Sequence, residues 1–301
     1  MVHLEAGLTL PDQQRFTNID GTIREIIDVF FQNQAKVTVE SEKPYALAAA
    51  QWAPTDNAMT YALTKGQGVG THCDEIEAQT AVADFTNNKT KVDALVGAEN
   101  NVGCSGGWIR GDWASAAYSG GFRYLDGVVM MAFLGVPVQN RPVNPLTGYP
   151  YTDQEISRTC YHDPAPPDLL DRIHPRMLAN TNDFEGDANG NLLLMTGEIG
   201  EIASLSEGRV NCFPNCQLTQ DDFDVVMATI DEAFAGKDHS RFAILYVHFP
   251  LDTMRDGPSP SPTKVQLVTT WLQQMSAYVT AGKITWVTMK EAHDRYVAWT
   301  P

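Results

Sequence analysis

No stretch of this 301-residue sequence approaches the roughly 18 to 20 uninterrupted apolar residues that a bilayer span requires. The N-terminus likewise has no basic region running into an apolar one. The chain reads as soluble, with no membrane span. Basic residues are scarce, 21 Lys and Arg against 37 Asp and Glu, for a formal charge of -16. A phosphate backbone or an anionic membrane surface would be repelled, so nucleic acid is not an expected partner. Cysteine is sparse as well, with five in all. Cys212 and Cys216 flank Phe213-Pro214-Asn215, a spacing that suits a small disulfide loop as well as half a zinc site. No second paired motif exists, which speaks against a four-cysteine zinc centre. There is no internal repeat and no linker between domains.

What is present is ordinary globular material, 43% apolar and 19% charged. The chain opens Met1-Val2-His3-Leu4-Glu5, almost at the first residue of a strand, and reads as a start codon placed on a mature or trimmed sequence. With the close cysteine pair, this gives the expectation of a secreted or periplasmic protein. Asn88-Lys89-Thr90 is a glycosylation sequon, a triplet that also arises by chance.

Apolar residues at Ile19, Ile23, Ile26, Ile27, Phe30 and Phe31 recur at helical spacing after a first strand, Met1 to Glu5. Strands follow at Ala35 to Glu40, Gly68 to His72, Asn101 to Cys104, Phe122 to Leu125, Leu192 to Met195, Phe242 to His248 and Ile284 to Thr288. Helices are predicted over Asp56 to Lys65, Asp112 to Ser119, Thr219 to Phe234, Lys264 to Ala281 and Lys290 to Trp299, with Trp271 and Trp299 as packing residues. From about Gly135 to Asn191 the sequence is rich in Pro, Asp, Asn and Gly and shows no sustained period, so a long loop insertion is expected there. Strands alternating with helices imply a mainly parallel sheet. The expected fold is a single-domain α/β protein over residues 1–301, a distorted (β/α)7 barrel.

In a parallel barrel the functional groups come from the carboxyl ends of the strands. Glu5 ends the first strand, His72-Cys73-Asp74 the third, Ser105-Gly106-Gly107-Trp108 the fourth, and His248 a late one. Cys73 and Cys104 could pair beside such a site or stand as two buried thiols. His162 and His174 lie in the long loop as further candidates to touch substrate.

Several segments resemble the polysaccharide deacetylases, carbohydrate esterases with a NodB-homology barrel. Gly66-Gln67-Gly68-Val69-Gly70-Thr71-His72 looks like the segment carrying that family's first metal histidine. Ala35 to Val39, Ile244 to His248 and Gly282 to Thr288 are similar, in order, to its second, late and closing strands. The resemblance implies a metal-dependent hydrolase acting on an acetylated polysaccharide or oligosaccharide. His72, Asp74 and Glu5 would hold a divalent ion, zinc first. Glu5 and Asp74 would be catalytic carboxylates and His248 the general acid for the leaving amine. Trp108, Asp112 and Trp113 would line the substrate, although Asp112 also reads as a helix N-cap.

The sequence departs from the family in two places. Leu4-Glu5-Ala6-Gly7 stands where the family has adjacent aspartates, and Ile76 stands at the second metal histidine. Two other readings follow from the same residues. Glu5 and Asp74 could be the carboxylate pair of a glycoside hydrolase. Alternatively the chain is a non-catalytic glycan-binding barrel that uses Trp108 and Trp113 for stacking. The glycan, the acyl group and the oligomeric state are not legible.

Overall fold

The computed structural model describes residues 2–4, 12–74, 78–107 and 110–299. Nine strands form one sheet: β1 (Val2–Leu4), β2 (Thr38–Ser41), β3 (Gly68–His72), β4 (Gly103–Ser105), β5 (Tyr124–Leu125), β6 (Arg176–Leu178), β7 (Leu192–Leu194), β8 (Glu198–Glu201) and β9 (Tyr246–Pro250). Their order is β6-β7-β5-β4-β3-β2-β1-β9-β8. All pairings are parallel except β6 with β7.

The pairing does not close into the expected (β/α)7 ring. Among the described residues β7 pairs with β5 and with the edge strand β6, and β8 only with β9, so β7 and β8 do not meet. Between these consecutive strands the chain leaves the ladder at Thr196 and Gly197, where the Glu198 N–H turns back to the Thr196 carbonyl at 2.8 Å. One stretch of chain thus serves two separated parts of the sheet. The predicted strand Ile284 to Thr288 forms no strand and joins no ladder among the described residues. It is separated from Ala243–Val247 by an apolar cavity of about 330 Å³ lined by Trp271, Met275 and Trp286, and no strand-end residue of the expected site lines it. β9 begins later than expected because the Ile244 N–H goes to Ile173 O, outside the sheet, at 2.8 Å.

Helices cover both halves of the outside. The Gln13–Gln32 helix, capped by Asp12 accepting from Arg15 N at 2.7 Å, buries Ile19, Ile23 and Ile27 against the outward residues Val37, Val39, Val69 and Phe249. A second outer cluster joins Phe85, Cys73, Cys104 and Leu125 to the Trp113–Ser119 helix. The third cluster fills the inside of the curled sheet: Tyr124, Leu193, Met195, Ile244 and Tyr246, floored by Met289 and Ala292 of the C-terminal helix. Thr38 Oγ1 accepts the Met289 N–H at 2.9 Å and fastens that floor to β2.

Two helices escape the sequence reading. Lys43–Trp52 is alanine-rich and so marks no apolar face, and Ala81–Val96 carries buried polar residues at Asp84, Asn88 and Lys89. Asn88, the sequon asparagine, is 1% exposed in that helix and donates to Asp84 O, so the folded chain offers no glycan acceptor there. The supposed long loop contains helices at Asp153–Thr159 and Leu169–Arg172 as well as β6. Trp271 is buried as expected, whereas Trp299 is 37% exposed. Among the described residues no helix is long and apolar enough to cross a membrane.

Candidate active site

The site is built on β3, where glycine alternates with larger residues. A side chain at Gly70 would stand 3.1 Å from both Cγ and Oε1 of Glu40 on β2, so the bare glycine gives that carboxyl its place inside the sheet. Two residues further along β3, His72 is buried. Its Nδ1 donates to Ser105 Oγ on β4 at 2.7 Å, and Ser105 Oγ donates in turn to Glu40 Oε2 at 2.5 Å. On the other edge of the ring, Nε2 lies 3.2 Å from Asp74 Oδ2 and 3.9 Å from Glu42 Oε1. Asp74 is held by the Gly107 N–H, which donates to its Oδ1 at 3.0 Å. Gly106 adopts φ 65°, and a Cβ on it would collide with Asp74 Oδ1 and crowd His72 Cε1 at 3.0 Å. The glycine turn after β4 is therefore shaped by the histidine–carboxylate pair it covers.

Burial disfavours charge on His72, but Asp74 in contact with it, and Glu42 and Glu40 behind, outweigh that and push its pKa up to about 10. The ring is an imidazolium at neutral pH, with a proton on each nitrogen. Inside the sheet lie three further buried carboxyls. Burial raises the pKa of Glu40, against hydrogen bonding from Asp126 and Ser105. Burial and the neighbouring Glu40 carboxyl push Asp126 well up, and burial lifts Glu198 to about 8 against the pull of Arg172. Each of these groups holds its proton more tightly than an exposed carboxyl would.

No family model matches this sequence, and no curated protein matches it. Among solved structures, one from Mycobacterium smegmatis described as a "putative polysaccharide deacetylase" matches with TM-score 0.51 at 12% identity, over 94% of this chain and 80% of its own. The likeness is one of fold. A 4-alpha-glucanotransferase from Thermococcus litoralis matches 100% of this chain but 40% of its own length, at 13% identity and TM-score 0.47, too loosely to inform the site.

Of the residues expected from the sequence, the structure brings His72 and Asp74 together. Glu5 and Trp108 lie outside the described residues. His248 is buried on β9 with its Cα opposite Glu201 of β8, and β1 and β2 stand between it and β3. Trp113 is not a stacking surface: it is 3% exposed, and its Nε1 donates to Ala132 O at 3.0 Å. Asp112 is the N-cap of the Trp113–Ser119 helix and also accepts from Thr181 N at 2.9 Å, so its carboxylate is spent on structure. Burial opposes that charge, but the bonds from Ser115 and Thr181 hold its pKa below the usual range.

His174 is likewise structural, with Nδ1 donating to Phe242 O at 2.8 Å. His162 is different. The protein around it and then the Arg209 charge lower its pKa, while Glu201 and Asp74 pull the other way, which puts it within electrostatic reach of the site. Cys212 and Cys216 form a disulfide, and Cys73 and Cys104 are buried free thiols.

No group of three or more His, Cys, Asp or Glu side chains among the described residues is arranged to hold a metal ion. His72 and Asp74 are two of the three expected ligands and Glu5 is the third. The described donor set does not make a metal centre by itself, and no catalytic step is drawn through one. Glu40, Glu42, Asp126, Glu198 and Glu201 were missed as site residues. For Glu40 and Glu42 the signal was the alternation through β2 of Thr38, Glu40 and Glu42 with Val37, Val39 and Ser41: in a sheet covered by helices outside, acids on the other face must point inward.

Proposed function

We propose that this chain is a carbohydrate-active hydrolase that removes an acetyl group from an N- or O-acetylated polysaccharide. The observation that carries the reading is the pairing of buried His72 with exposed Asp74 at the carboxyl end of a parallel sheet, backed by Ser105 and Glu40. The fold shared with the described deacetylase supports it. Asp74, 38% exposed, is the carboxylate that takes a proton from the attacking water. The His72 ring, its two nitrogens engaged by Ser105 and Asp74, supplies positive charge near the oxyanion formed when that water adds to the acetyl carbonyl. When the carbon–nitrogen or carbon–oxygen bond breaks, His248 protonates the departing sugar atom, and acetate leaves. A zinc ion, if the enzyme uses one, would take His72 and Asp74 with Glu5 as third ligand; metal content lost in His72→Ala tests that set. The disulfide favours an oxidising compartment, secreted or periplasmic.

Acetate release from acetylated oligosaccharides is the test. His248→Ala should slow it by about 100- to 10,000-fold while substrate still binds, because positioned proton transfer supplies that much. Unchanged release in this variant would remove the mechanism. Release of reducing ends in place of acetate would show a glycoside hydrolase instead, and release of neither product, with binding kept, a glycan-binding protein.

A further inference from the structure

Next to His248, on the last strand of the sheet, stands a wall that the proposed chemistry does not use. Glu201 ends β8 opposite His248, so the ladder places it at the level of the site. Its Oε2 takes the Nε–H of Arg209 at 2.9 Å. The Arg209 guanidinium lies 4.2 Å from the centroid of the Phe213 ring, over one side of it. Phe213 is nevertheless 59% exposed. It sits in the loop closed by the Cys212–Cys216 disulfide, whose Cα atoms are 4.7 Å apart, so its backbone is tethered on both sides.

We infer that Phe213, Arg209 and Glu201 form a subsite for a neutral sugar ring of the polysaccharide. The inference rests on the carbohydrate reading and names its substrate class. An aromatic ring open to solvent and held on a tethered loop offers a flat apolar face, and a pyranose presents a matching face of C–H groups. Arg209 supplies the polar half of such a site: Nε is spent on Glu201, and the Nη donors remain for hydroxyl and ring oxygens. Charge decides between neutral and acidic sugars. Glu201 already balances Arg209, and a chain of net charge -16 repels a polyanion, so no unmatched positive charge is left to hold a uronate.

The experiment measures calorimetric binding of a panel of neutral oligosaccharides, N-acetylated and plain, with an oligogalacturonate as the anionic member. It uses the native chain and the variants Phe213→Ala, Arg209→Ala and Arg209→Lys, with kcat and KM for acetate release alongside. Each alanine variant should weaken neutral oligosaccharide binding roughly 5- to 30-fold, the factor that one or two kcal/mol represents. KM should rise with kcat kept, the mark of ground-state binding. Lysine should rescue little, because it lacks the fork that serves Glu201 and a sugar together. Phe213 is exposed, and an unchanged unfolding midpoint confirms that its variant folds. Equal affinities in native and both alanine variants, or tighter binding of the galacturonate, would overturn the inference while leaving the carbohydrate reading intact. A native chain that binds no saccharide in the panel would bring both down.

Discussion

The inside of the sheet has two layers that share the same strands and differ by one inward step along each. Tyr124, Leu193, Met195, Ile244 and Tyr246 make the lower layer, closed by Met289 and Ala292. Two residues on from Gly70, Gly103, Tyr124 and Tyr246 stand His72, Ser105, Asp126 and His248, while Glu40 and Glu198 sit opposite Gly70 and Tyr246 and bring carboxyls to the boundary with that layer. The lower layer gains stability from buried apolar area. The upper layer spends it, since titratable groups held away from water must stay neutral or find partners. A strand that has just left the packed floor is rigid, so the next inward side chain is aimed well enough to do chemistry.

Leu193→Ala should produce the largest change, a loss of about 2 to 5 kcal/mol in chemical denaturation, because a fully buried leucine leaves a cavity in the floor. That loss should be the same at pH 5 and pH 8. A loss that varied strongly with pH would mean the two layers are not separate.

Glu198→Gln should have the opposite sign and a clear pH dependence. In the fold Glu198 keeps its proton up to about pH 8, whereas the unfolded chain gives it up near 4.5. Its contribution to stability is therefore complete below pH 4.5 and disappears as pH rises through about 8. Glutamine cannot ionise, so the variant should match the native chain at pH 4 and exceed it by roughly 2 to 4 kcal/mol at pH 9. Equal stability at both pH values would show that this carboxyl ionises freely.

Tyr124→Phe probes the boundary between the layers with the smallest effect. The Tyr124 hydroxyl is buried and makes no hydrogen bond among the described residues. Removing it should stabilise the protein by about 1 kcal/mol, the cost of a polar group left unpaired. Destabilisation would reveal a partner for it, such as a bound water.

These layers explain what could be read from the sequence. β3 was placed from Gly68 to His72 because its glycines, its apolar Val69 and its terminal histidine all agree, and the Gln13–Gln32 helix because isoleucine recurs at helical spacing. His72 and Asp74 were legible for the same reason: they end a strand. Glu40, Asp126 and Glu198 were not, because a lone acid beside an apolar residue looks like the wet face of a half-exposed strand. Only the curling of the sheet turns that face inward. Trp113 was misread because an aromatic beside a glycine turn gives the same pattern whether it faces sugar or core, and the Nε1 bond to Ala132 decides for the core. The missing closure was invisible too, since Leu192 to Glu201 reads as one segment and gives no sign that its two halves serve different neighbours.

The pairing of β1 with β9 also sets a timetable. Val2 lies opposite Phe249 and His3 opposite Pro250, so β1 pairs with a strand that is synthesised long after it. Until β9 has emerged, β1 can lean only on β2, and the edge it will share with β9 stays open. A nascent chain halted before residue 246 would therefore carry an unpaired parallel edge beside a half-built acid interior. Such edges template aggregation, and non-local pairing of this kind folds slowly.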